Sequence, residues 1–411
     1  MPSFITPKTI HLDNGLNVYF IEDSGQELCR LDMVFYAGTK VQNKPLQATL
    51  CNALLFEGTN NKKGSEIHEV IDFYGAYTQL DINADRSTIS LYSLNKYFDI
   101  VFPVFIDAIN NAIFPEEAFQ IILSQKKQLF DINYGKVEFL ARSSFFKTIF
   151  NDHSYGDSIS QNDFKNISRD DIVHFHNNFY KNVSPEVYIA GKIPENALSI
   201  LDQSFGESDI NHKSSVKQFV SLVNNNQQIH LEKDGALQTA IKIGRCTFNS
   251  SHEDFYQLKF LSVVLGGYFR SRLMKNIREN KGLTYGVFST CVQNEESGYF
   301  CISTDVKSEC TQLALKEIYY ELKQLRSILI PPNEMELVKN YIMGQILKSA
   351  DGSFAQINLL KNIHLQGIGF EFYHNYKLTL DQLNPYKLKE IANKYFKKED
   401  LCEVLVGKVS F

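Results

Sequence analysis

Residues 167–181 read Ile167-Ser-Arg-Asp-Asp-Ile172-Val-His-Phe175-His-Asn-Asn-Phe179-Tyr180-Lys181, and residues 383–397 read Leu383-Asn-Pro-Tyr-Lys-Leu388-Lys-Glu-Ile391-Ala-Asn-Lys-Tyr395-Phe396-Lys397. The two runs align without a gap, 216 positions apart. In both, apolar residues fall at i, i+5, i+8 and i+12, the stripe of an amphipathic helix. A short polar turn and an apolar strand follow each: Val187-Tyr-Ile-Ala-Gly191-Lys192-Ile193 and Glu403-Val-Leu-Val-Gly407-Lys408-Val409. The same helix, turn and strand therefore close each half of the chain, which points to a duplicated architecture.

The halves divide between Gly206 and Gln228, a mostly polar stretch that includes Gly-Glu-Ser-Asp-Ile-Asn-His-Lys-Ser-Ser and Asn-Asn-Asn-Gln-Gln. It reads as a linker between domains at 1–205 and 229–411. Each half opens with strand-like segments, Leu16–Ile21 and Cys29–Tyr36 in the first, Gln228–Leu231 and Ala240–Ile243 in the second. Long helical patterns follow, at Phe98–Ile113, Pro115–Asp131 and Cys310–Ile328. Strands and helices in mixed order, without regular alternation, predict an α+β fold with mainly antiparallel sheets.

Composition narrows the function classes. The 411 residues are 44% hydrophobic and 22% charged, with a net charge of -5, and they form no basic stripe of the kind nucleic acids require. No run approaches the roughly 18 apolar residues of a membrane span; the richest, Ile100–Phe114, is broken by Asp107, Asn110 and Asn111. The first residues lack a basic, then apolar, leader pattern, so a cytoplasmic location is expected. Seven cysteines without Cys-x-x-Cys spacing fit reduced, buried thiols. No His-Glu-x-x-His, His-x-x-Glu-His, Walker loop, Gly-x-Gly-x-x-Gly or Gly-x-Ser-x-Gly occurs. His174 and His176, two apart on a helix, point to different faces and read as surface residues; His68 and His252 lack a second His one turn on.

The stretch that carries chemistry is Leu265-Gly-Gly-Tyr-Phe-Arg-Ser271-Arg272-Leu273-Met-Lys-Asn-Ile277-Arg278-Glu279-Asn-Lys281-Gly282-Leu283-Thr-Tyr285. It predicts a helix carrying Leu273 and Ile277, a glycine stop at Gly282, and a strand from Leu283. Arg278 and Tyr285 could then face one cavity. A guanidinium and a phenol placed together can bind a peptide carbonyl or a developing oxyanion. On its own, Arg278 reads first as a helix-end charge near its own carbonyl dipole, and only second as a ligand-binding group.

This stretch resembles the second domain of the M16 metallopeptidases, the pitrilysin, insulinase and mitochondrial-processing-peptidase group, through Leu265-Gly-Gly, Ser271-Arg-Leu and Arg278-Glu-x-x-Gly-Leu-x-Tyr285. The first half resembles the family's Ala-His-x-x-Glu-His-x-Leu-Phe-x-Gly-Thr, but reads Ala48-Thr49-Leu50-Cys51-Asn52-Ala53-Leu54-Leu55-Phe56-Glu57-Gly58-Thr59. Thr49 and Ala53 stand at the zinc-histidine positions and Asn52 at that of the general base. An amide has no useful basicity, and zinc needs imidazole, thiolate or carboxylate donors. The third ligand of the family would fall near Asp131. Weaker likenesses are Phe73-Tyr-Gly75-Ala76 and His153-Ser-Tyr155-Gly156.

The resemblance implies two homologous α/β-roll domains, each an antiparallel sheet packed with helices, together forming one half of a clamshell. It also implies the subgroup of roughly 400-residue chains (M16B) that work as homodimers or unequal heterodimers. In such heterodimers one chain carries the zinc motif and the other the Arg/Tyr pair. This chain resembles the second type. It is expected to bind no cofactor itself, to pair with a zinc-bearing M16 subunit, and to hold peptide substrate with Arg278 and Tyr285. A purely structural M16-like role, as in the core proteins of respiratory complexes, is the alternative; an independently active hydrolase is a third.

Overall fold

The computed structural model describes residues 5–23, 25, 27–181, 183–194, 196–205 and 227–408. Of the expected linker at 206–228, only the last two residues are among them. The first half runs β1 (Lys8–His11), β2 (Asn17–Glu22), β3 (Leu28–Phe35), α1 (Gln47–Leu54), α2 (Gly64–Phe73), β4 (Tyr77–Ile82), β5 (Ser87–Leu94), α3 (Phe98–Asn110), α4 (Glu116–Tyr134), α5 (Val137–Phe150), α6 (Asp163–Asn166), α7 (Arg169–Phe179), β6 (Glu186–Gly191) and α8 (Ala197–Phe205). The second runs β7 (Gln228–Glu232), β8 (Gln238–Thr247), α9 (Phe255–Gly266), a π-helix (Met274–Asn280), β9 (Val287–Gln293), β10 (Gly298–Lys307), α10 (Thr311–Ser327), α11 (Pro332–Ser349), α12 (Ser353–His364), α13 (Phe372–Asp381), α14 (Pro385–Tyr395) and β11 (Cys402–Gly407).

The sheets are ordered β1-β2-β6-β3-β5-β4 and β7-β11-β8-β10-β9. They share one topology once β1 is set aside, and among the described residues only β2–β6 and β7–β11 pair in parallel. The fold is α+β, as expected. The repeat holds to the residue: α7 and α14, and β6 and β11, begin and end 216 positions apart. The offset extends back to the starts of α4 and α11 and of α5 and α12. Gly191 and Gly407 close their strands at φ 99° and 149°. Only glycine takes such angles without strain, which explains why the repeat keeps them.

Two compact units emerge, and each draws on both halves of the chain. The first takes Met1–Leu129, Ile159–Val216 and Leu347–Leu365; the second takes Phe130–Ser158, Lys217–Ile346 and Gln366–Phe411. The corresponding helices are thus exchanged: α5 lies on β8 and β11, and α12 lies on β6 and β2. Apolar burial drives both dockings, with Ala141 and Phe145 of α5 and Ile357 and Leu360 of α12 buried.

A polar cluster fixes α12. Lys361 Nζ donates to Asp32 Oδ2 at 2.6 Å, while Arg30 grips both Asp32 oxygens at 2.9 and 2.8 Å. Burial alone would raise the Asp32 carboxyl, but Lys361 and Arg30 outweigh it and hold it below the usual carboxylate range. At the ends of the helix, Ser353 Oγ donates to Asp23 at 3.1 Å, and the Tyr188 hydroxyl meets His364 Nδ1 at 2.7 Å.

His176 corrects the surface reading of the His174/His176 pair. His174 is exposed, but His176 is 2% exposed and its Nε2 donates to the Ile109 carbonyl at 2.7 Å. With Ile172 and Phe175 it completes the buried face of α7.

Candidate functional site

The helix that would carry zinc, α1, presents Thr49, Asn52 and Ala53 along one side. Asn52 is 3% exposed and its Nδ2 donates to Ser87 Oγ of β5 at 2.7 Å; Thr49 and Ala53 are half-buried. The Tyr180 hydroxyl is also buried, without a hydrogen bond of good geometry. The family implies a zinc ion here. The side chains present offer a hydroxyl, an amide already committed to the core, and a methyl with no donor atom, and they do not fit it. Asp131 stands exposed on α4. Among the described residues, no three His, Cys, Asp or Glu side chains come together in a way that would hold a metal ion.

Arg278 and Tyr285 belong to the second unit. The predicted helix through Arg278 is widened into a π-helix, and the strand expected at Leu283 starts only at Val287. The widening has a visible anchor. Arg272 forms a two-pronged pair with Glu334 at 2.8 and 2.7 Å. Asn276, one turn on, donates to Glu317 at 3.0 Å and to Glu321 at 2.7 Å. Lys281, five residues further, reaches Asn276 Oδ1 at 2.7 Å and Glu317 at 3.3 Å. A five-residue step keeps side chains on one face only in a π-turn. Burial raises the Glu321 carboxyl, with Glu317 and Glu334 adding to it and Asn276 and Arg272 opposing.

The expected stop is present. Gly282 has φ 62°, its N–H donates to the Arg278 carbonyl at 3.1 Å, and the Leu283 N–H donates to the Ile277 carbonyl at 3.0 Å. Each of these closing bonds spans one residue more than in the α-helical glycine stop, as the π-turn requires. Thr284 then bonds the Asp305 carbonyl at 2.7 Å and accepts from the Gly286 N–H at 3.2 Å, fixing the backbone on both sides of Tyr285.

On this held backbone Arg278 is half-buried and Tyr285 projects outward. The Arg278 guanidinium lies 4.8 Å from the centre of the Phe269 ring, itself 61% exposed. Tyr285 is 95% exposed. Neither side chain makes a hydrogen bond or ion pair with another described residue, so the structure does not join them through a shared partner. Sequence reasoning missed the anchoring set, Asn276, Glu317, Glu321 and Glu334. The i, i+4, i+9 spacing of Arg272, Asn276 and Lys281 is the signal that could have found it.

Two other features lie apart from this pair. His153 Nε2 meets Glu296 at 2.8 Å while its Nδ1 accepts the Tyr155 N–H at 3.2 Å, which leaves neither ring nitrogen for a substrate. An open cavity of about 1040 Å³ at the start of α5 is lined by Lys136, Glu138, Asp305 and Lys307 among others, and by neither Arg278 nor Tyr285. Burial, with Glu138 nearby, raises the Asp305 carboxyl.

Comparisons with known proteins agree on a family. The profile described as the peptidase M16 inactive domain matches residues 166–342. An uncharacterized zinc protease of Bacillus subtilis is 22% identical over 318 residues, covering 74% of each chain. One of Rickettsia bellii is 23% identical over 349 residues, covering 82% of each. A crystal structure of a peptidase M16 inactive domain from Pseudomonas fluorescens superposes with a TM-score of 0.87 at 20% identity, over 99% of both chains. A protease from Helicobacter pylori gives 0.83 at 19% identity, over 97% of this chain and 99% of that one. The chain is thus similar to M16 peptidases in sequence over most of its length, matches their inactive domain over residues 166–342 and shares the fold of such proteins, and its counterpart of the zinc helix carries no metal-binding motif.

Proposed function

We propose that this chain is the non-catalytic, substrate-holding subunit of a heterodimeric M16 peptidase of the M16B kind, supplying Arg278 and Tyr285 to a zinc site carried by its partner. The observation that carries this reading is the contrast between two motif regions. Asn52 has been absorbed into the core by its bond to Ser87. Arg278, half-buried against the Phe269 ring, and Tyr285, exposed, make no hydrogen bond or ion pair with another described residue and sit on a backbone anchored by Arg272, Asn276 and Lys281. A scaffold gains nothing from a 95% exposed tyrosine; a donor pair waiting for a peptide carbonyl needs that freedom. The substrates are peptides or unfolded segments. Among the described residues the seven cysteines form no disulfide, which suits a reducing compartment such as the cytoplasm. Among the described residues, no helix is long and apolar enough to cross a membrane.

The test is peptide cleavage by this chain alone, by a zinc-bearing M16 chain alone, and by the mixture. Activity is expected only, or mainly, in the mixture. Arg278→Ala with Tyr285→Phe should lower its turnover about 10²–10³-fold, with the complex still forming on a sizing column. Undiminished turnover in that variant would sink the donor role and leave a structural one.

A further inference from the structure

The exchanged helices raise a question of specificity. A duplicated chain has a competing arrangement in which α5 and α12 each fold back onto the sheet of their own half. The two sheets differ at one corresponding buried position. Asp32 pairs across its neighbours with Tyr188 and Ser90; Lys242 pairs with Val404 and Ser303. Tyr188 and Val404 are 216 positions apart, so Asp32 and Lys242 occupy the same place. They are 0% and 7% exposed.

Both face the exchanged helix. Asp32 holds Lys361 of α12. Lys242 bonds Ser303 at 2.8 Å on the face where Tyr299 meets Phe146 of α5. The counterpart of Lys361 on α5, 216 positions earlier, is Phe145, which is fully buried.

We propose that this asymmetry of buried charge selects which helix covers which sheet. In the competing arrangement Lys361 would meet Lys242, two like charges on one buried face whose nearby carboxyl, Asp305, already interacts with Lys242. Asp32 would face Phe145 and lose its ammonium partner. Burying an uncompensated charge is far more costly than placing a phenyl ring beside a lysine whose Nζ is already bonded to Ser303. The preference therefore comes mainly from penalising the wrong pairing. Asp32, Lys361 and Lys242 act as an address for α12.

The test uses the full chain with a reporter. Ser353 Oγ lies 3.1 Å from Asp23 Oδ2, so Asp23→Cys with Ser353→Cys should form a cross-link when α12 covers the first sheet. The cross-link is read by peptide mapping after refolding from denaturant. Into this background go Asp32→Leu with Lys361→Met, which replace the pair by apolar side chains. The variant is expected to fold while the cross-link yield falls by about half, because an apolar pair can be as stable yet no longer excludes the alternative. A yield equal to the parent's overturns the proposal. Should that variant fail to refold, Asp32→Asn with Lys361→Gln, which removes both charges while keeping polar side chains of similar size, decides in the same way: a lowered yield supports the address, and an unchanged yield overturns it.

Discussion

Replacing Lys361 by methionine removes one ammonium from a carboxylate that has no water to turn to. Asp32 is 0% exposed, Lys361 Nζ lies 2.6 Å from Oδ2, and Arg30 holds both oxygens at 2.9 and 2.8 Å. Removing one partner of a buried pair costs about 3–5 kcal/mol. Arg30 stays, and methionine keeps most of the buried stem, so the lower end, about 3 kcal/mol, is expected. Hydrogen exchange read by mass spectrometry suits a chain with two units. Peptides over β3 and β6 should exchange about 10²-fold faster in the variant, while those over β8 and β10 serve as the internal control. The acid limb should move too. The folded Asp32 carboxyl is held below its unfolded value. Its contribution is therefore present above the unfolded value, about pH 4, and is lost as pH falls through the folded one. Without Lys361 the folded value rises, so the first sheet should open at a higher pH than in the parent. Unchanged exchange over β3 and β6, or equal acceleration in both sheets, would refute the claim that this pair holds α12 in place.

Three further outcomes follow from local geometry. A Cβ at Gly244 would overlap the Phe300 carbonyl oxygen and crowd Cys301, so Gly244→Ala should cost about 3 kcal/mol or more in denaturant melts, with the loss confined to the second sheet. Gly282→Ala meets no neighbour but must hold φ 62°; about 1 kcal/mol is expected, with faster exchange at the Leu283 amide. Asn52→Glu, a step back toward the family motif, would bury a carboxylate against Ser87 in a site 3% exposed. A melting temperature lowered by several degrees is expected, whereas equal stability would show that this site accepts the acid of the family motif.

The duplication was legible because its marks are backbone demands. Gly191 and Gly407 sit where only glycine fits, and the apolar stripes of α7 and α14 repeat at one spacing. His176 was within reach as well. It lies at i+4 from Ile172, on the same stripe, and was misread because its side chain is polar while its one hydrogen bond goes to a carbonyl 67 residues away. The exchange of α5 and α12 was not legible. An amphipathic stripe shows that a helix covers something; it does not show which of two like sheets it covers. Lys361 in a sequence is an ordinary lysine until Asp32 stands beside it.

The same limit governs the site. Side-chain identity was enough to name Thr49, Asn52 and Ala53 as unfit for zinc, because donor chemistry belongs to the residue type. It was also enough to single out Arg278 and Tyr285 by their resemblance. It was not enough to find the π-turn, since Glu317, Glu321 and Glu334 reach Arg272, Asn276 and Lys281 from two other helices. A π-turn is a poor helix in isolation and persists here through those side-chain bonds. Its position just before Gly282, next to a half-buried arginine stacked on Phe269 and an exposed tyrosine, neither of which hydrogen-bonds or ion-pairs with another described residue, devotes tertiary interactions to the orientation of these two groups. The proposed substrate-holding role rests on that arrangement, since a purely structural role makes no use of two side chains held in this way, and the loss of turnover expected for Arg278→Ala with Tyr285→Phe is what would separate the two.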